Sequence, residues 1–123
     1  MTLVALTLLA GPAGAAAMAN GTPKPPPIPP IPGKWSHAEI NVKIKGVPHT
    51  LILDHGRITQ VSTTQLTLLE PTGDIAQIPL SPSTLITFRG FGLHPVVMRR
   101  GLWAVAMRID DGAAVRVRVT RLP

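Results

Sequence analysis

Fourteen prolines and eleven glycines punctuate these 123 residues, and that spacing constrains the fold more than any other feature. Proline blocks helix interiors and glycine loosens them, so what remains is short extended segments joined by turns. The apolar residues agree. They make up 45% of the chain while aromatics make up 3% and tyrosine is absent, so a core must be built from Val, Ile and Leu. Branched aliphatic side chains suit the pleated surface of a sheet. There is no cysteine, which excludes disulfides, thiolate nucleophiles and Cys-ligated zinc.

Three zones follow one another. Residues 1–19 carry no charged side chain. An apolar run over 3–9, a Gly11-Pro12 break and then Ala15-Ala16-Ala17-Met18-Ala19 read as a secretory signal, with cleavage after Ala19. No Lys or Arg precedes the run, so a start upstream of Met1 is one reading and an uncleaved membrane anchor another. In residues 20–34, seven of the ten positions from Pro23 to Pro32 are proline. Such a stretch is extended polyproline II, and the expectation is a stiff, unpacked spacer whose removal leaves the domain folded. The alternative is a ligand for a proline-binding groove.

Residues 35–123 carry a period-two pattern. Ile40, Val42 and Ile44 alternate with Asn41, Lys43 and Lys45, and Gly46-Val47-Pro48 turns the chain. Further strands are expected over 49–54, 57–62, 65–70, 75–80 and 84–89, with a break at His55-Gly56. Residues 90–101 read as a loop with one helical turn near 96–99. A hairpin of 103–109 and 113–121 closes the chain around Asp110-Asp111-Gly112. In it Trp103, Val105, Val117 and Val119 are expected to be buried together. The fold class is all-β: a small closed or partly open antiparallel barrel (OB-like) of about six to eight short strands, preceded by a non-globular N-terminal segment.

Particular residues strengthen this expectation. Gly56-Arg57-Ile58-Thr59-Gln60-Val61-Ser62, Gln65-Leu66-Thr67-Leu68, Thr72-Gly73-Asp74, Ile78-Pro79-Leu80-Ser81-Pro82-Ser83-Thr84 and Arg100-Gly101-Leu102-Trp103-Ala104-Val105 cover about half of the chain. Together they resemble a family of small OB-like β-barrel domains found on exported bacterial proteins, a family with no established activity. The resemblance implies a fold and no catalytic residue, because every element of it is a turn or a strand pair.

Candidate chemistry is sparse. The histidines His37, His49, His55 and His94 show no H-x-H or H-x-x-x-H spacing, so no metal site and no cofactor are expected. Ser36, Ser62, Ser81 and Ser83 lie in or beside turns, outside any G-x-S-x-G elbow. Asp54, Glu70, Asp74, Asp110 and Asp111 read mostly as turn residues. The basic residues are more suggestive. Twelve Lys/Arg against six Asp/Glu give a net charge of +6, which favours anionic partners. Arg116 and Arg118 alternate with valines on the last strand, Arg108 lies on its partner, and Arg99-Arg100 precede the hairpin. These five are the expected anion-binding face.

The function that fits best is an exported, non-catalytic module that binds an anionic envelope polymer or a protein partner, touching a membrane only through an uncleaved N-terminal segment. One alternative is a nucleic-acid-binding barrel inside the cell. Another is a small hydrolase with an unrecognised site.

Overall fold

The computed structural model describes residues 24–123. The signal-like segment and the first part of the proline-rich stretch lie outside the described residues. Seven strands follow one another: β1 (His37–Ile44), β2 (Val47–Val61), β3 (Gln65–Leu69), β4 (Ile75–Pro79), β5 (Leu85–Arg89), β6 (Trp103–Ile109) and β7 (Ala114–Thr120). Among the described residues there is no helix, and the turn expected near residues 96–99 is absent. The class is therefore all-β, as the proline and glycine spacing requires.

The strands form one mostly antiparallel sheet in the order β4-β3-β2-β6-β7-β5, with β1 also on β2. It does not close, so the shape is a partly open barrel. The long β2 organises it. Its residues 51–57 pair with β6, while its other edge pairs first with β1 and then with β3. The break expected at His55-Gly56 is instead the middle of this continuous strand. Gly56 is needed for a different reason. A Cβ there would lie 2.6 Å from the Leu69 carbonyl oxygen, closer than real contacts allow. Glycine lets the end of β3 come down onto β2.

Apolar side chains collect on both faces. Ile58, Leu66, Leu68, Val117 and Val119 form one core with Ala104 and Ala106. Leu51, Leu53, Val105 and Met107 form the other, covered by Ile40 and Val42 of β1. The central strand β6 thus feeds small alanines to one side and larger side chains to the other, which is why its sequence reads as a continuous apolar run.

Two expectations are corrected here. Val105 is not buried with Val117 and Val119. It pairs with Arg118, while Ala104 pairs with Val119 and Ala106 with Val117. The register shifts at Met107/Arg108, where Arg108 meets Ala114 and Met107 meets Arg116. A bulge of this kind changes which side chains share a face. The proline-rich stretch is also not a free spacer. Ile28, Ile31 and Trp35 pack against the second core. Finally, β5 joins the sheet in parallel with β7, so its edge is completed by a crossover rather than a hairpin.

Candidate functional site

The arginines do not form the face their spacing suggests. Arg116 and Arg118 do share a side of β7, opposite Met107 and Val105, and both are half-buried. Arg116 donates from Nε to the Pro26 carbonyl (2.8 Å) and from Nη2 to the Pro25 carbonyl (2.9 Å). Two charge-assisted bonds thus tie the proline-rich segment to the sheet. Arg108 lies on the opposite side, at the parity of Ala104 and Ala106, with its Nε buried and unpartnered. Arg99 and Arg100 are exposed on the loop entering β6.

The sequence did not point to Arg89. The parallel pairing sets Thr87 beside Arg118 and Arg89 beside Thr120. Burial, and then the charge of Arg89, hold the Arg118 guanidinium below its usual range. Pro27, Ile28, Phe88 and Thr87 join Arg89, Arg116 and Arg118 in lining a cavity of about 290 Å³. Among the described residues no Lys or Arg is ion-paired to a carboxylate; all three ion pairs use histidine. A larger open trough of about 440 Å³, lined by Gln60, Val61, Ser62, Gln65 and Thr67, carries no ionisable group.

The acids are elsewhere. His37 opens β1 directly opposite Asp54 of β2. Its Nδ1 is 2.8 Å from Asp54 Oδ1 and its Nε2 is 2.9 Å from Glu39 Oε2. Glu70 follows β3 and enters the same corner. It reaches Asp54 because Gly56 permits the close approach of residues 69–70. Its position is fixed by the turn that follows, in which Glu70 N donates to Asp74 O and Gly73 N donates to Glu70 O, each at 2.8 Å. Asp54 and Glu70 are only 6% and 7% exposed. One donor atom each of His37, Asp54 and Glu70 lie within 4.8 Å of one another. Burial, with Asp54 and Asp74 beside it, pushes the Glu70 carboxyl up to about 7, and His37 opposes this. Hydrogen bonds to Asp54 and Glu39 raise the imidazole of His37.

The remaining candidates have structural partners. His55 is sandwiched between Trp35 and Trp103, with ring centroids 5.2 and 5.4 Å away. Asp110 accepts from His49 and from Thr50 N, which locks the β6–β7 turn onto β2. Ser62 Oγ accepts from Thr64 N and Gln65 N, and Ser81 Oγ from Ser83 N. Among the described residues no serine hydroxyl is hydrogen-bonded to histidine. Comparison with family models, with curated proteins and with solved structures returns no match for this chain.

Proposed function

We propose that the chain is an exported, non-catalytic module that binds an anionic group of an envelope polymer in the cavity between β5 and β7. The observation that carries this reading is the presence of Arg89 and Arg118 in one cavity wall, close enough for the charge of Arg89 to act on Arg118. The partly buried Arg118 guanidinium feels the charge of Arg89, and among the described residues no carboxylate is ion-paired to either. An anion would supply that counter-charge, and the guanidinium fork suits phosphate or carboxylate. Arg116 is already committed to prolyl carbonyls, so it shapes the wall of the cavity instead of serving as a free cation. The apolar run and small-residue motif of residues 1–19 support export, and the partly open barrel is in keeping with the OB-like resemblance.

The nucleic-acid reading has one feature in its favour. Phe88 is 38% exposed and lines the same cavity, so a base could stack there. Titration with heparin-like, teichoic-acid-like and single-stranded DNA polymers, at low and moderate salt, separates the readings. Binding to either envelope-type polymer should weaken as salt rises, because screening acts over about 8–10 Å at physiological ionic strength. Arg89→Ser with Arg118→Ser should remove the salt-sensitive part. Tightest binding to DNA would transfer the site to the nucleic-acid reading. Binding to none of the three, or an unaffected double variant, would end both.

A further inference from the structure

We propose that His37, Asp54 and Glu70 bind a divalent first-row transition-metal ion, with zinc as the reference case, and that Glu39 orients the imidazole. This site is separate from the arginine cavity and does not depend on it.

The hydrogen-bond chemistry leads there. Glu39 is a carboxylate and accepts the Nε2 proton of His37. In the neutral ring this leaves the Nδ1 lone pair facing Asp54 Oδ1 at 2.8 Å. Two acceptors at that distance need a proton or a cation between them. Glu70 has the same deficit. It is more than nine-tenths buried, yet its Oε2 has no hydrogen-bond partner. One cation would meet both deficits. It would face two carboxylates and one imidazole, so its charge would be balanced where the metal-free corner must hold protons.

The donor set narrows the ion. Calcium and magnesium favour six or more oxygens, whereas an imidazole with carboxylates suits zinc and its neighbours. Zinc bonds of about 2.0–2.2 Å set tetrahedral donors roughly 3.3 Å apart, so His37 Nδ1 and Asp54 Oδ1, now 2.8 Å apart, would open slightly while the Glu70 oxygen, within 4.8 Å, closes in. The Nε2–H···Glu39 bond is the outer contact that ligating histidines usually make, and it fixes which nitrogen faces the metal. The three donors come from β1, β2 and the end of β3, and Gly56 makes their meeting sterically possible. The side chain of His37 is 45% exposed, so an ion can enter from solvent.

The test uses the full chain, stripped with chelator and titrated with zinc by calorimetry, with cobalt as a spectroscopic probe. One ion per chain should bind with Kd below about 10 µM. Cobalt should give visible bands that shift in Glu70→Gln. His37→Gln or Glu70→Gln should weaken zinc binding by more than about tenfold, and Glu39→Gln by about 10–100-fold. Unchanged far-UV spectra and a cooperative urea transition would show that the variants fold. His49→Ala and His94→Ala should bind zinc as the parent does. No saturable zinc binding, or binding that survives Glu70→Gln but is lost in His49→Ala or His94→Ala, overturns the proposal. So does tighter binding of calcium or magnesium than of zinc.

Discussion

In the corner at the start of β1, Glu39, Asp54 and Glu70 gather at one imidazole with Asp74 beside Glu70, whereas between β5 and β7 three arginines line a cavity with no carboxylate among its lining residues. Four of the six acidic residues thus occupy one place in a chain whose net charge is +6. The two regions are held by different means. The acidic corner exists because backbone packs on backbone at Gly56, so its charges are forced together by sterics. The cationic cavity exists because a peripheral segment is tied down by Arg116, so its shape depends on a few side-chain bonds. Net charge alone hides this segregation.

The comparison can be broken first at its steric root. Gly56→Ala should cost about 3 kcal/mol, since overpacking against fixed backbone typically costs 1–3 and occasionally more. It should lower the urea midpoint and leave anion binding intact in the fraction that folds. Removing residues 24–34 attacks the other region. The loss of Ile28, Ile31 and the Arg116 bonds should cost more than about 2 kcal/mol, well above the ~0.5 kcal/mol of uninvolved surface changes. A deletion variant melting with the parent would return the segment to the role of a free spacer.

The pH response sharpens the contrast. An acid raised from 4.5 to about 7 favours the folded state while protonated, so its contribution falls as pH rises from about 4.5 through 7. His37, raised above 6.5, adds stability below 6.5 that is lost as pH climbs through its folded value. Both signs agree. Metal-free protein should therefore lose on the order of 2 kcal/mol between pH 5 and 8. Glu70→Gln should flatten most of that slope, as chemical denaturation across pH would reveal. Asp110 works the other way: held below its usual range by Thr50 N and His49, it contributes stability that is lost in strong acid.

The smallest effect distinguishes neighbours two positions apart. Arg116→Ala should cost about 1–2 kcal/mol through its lost carbonyl bonds, while Arg118→Ala should change stability by less than about 0.5 kcal/mol and weaken anion binding instead. Equal effects on both measurements would mean that the two arginines are one patch after all.

Much of the fold was legible because alternation and turn residues are local signals. Ile40 and Val42 face one core, and Leu66 and Leu68 are both fully buried. The failures came from features without a local signature. The bulge at Met107/Arg108 moved Arg108 away from Arg116 and Arg118, and no turn residue announces it. The parallel β5–β7 pairing that supplies Arg89 depends on a crossover. His37, Asp54 and Glu70 meet only once β1 and β3 have both docked on β2. Gly56 was the available hint: read as a strand break, it was the close approach that creates the corner.

The central position of β6 has a consequence in time. Leu51 pairs with Ile109 and Arg57 with Trp103, so the middle of the sheet joins early residues to late ones. Contacts so distant along the chain form slowly, because a large loop must close before they are rewarded. During synthesis, Leu51 and Leu53 can pair with β1 at once, but the other edge of β2 stays unpaired until Trp103–Ile109 has left the ribosome. The full sheet cannot assemble before then. Any fragment ending before Trp103 therefore leaves one edge of β2, including Leu51 and Leu53, without its partner strand, an open edge on which another chain could pair.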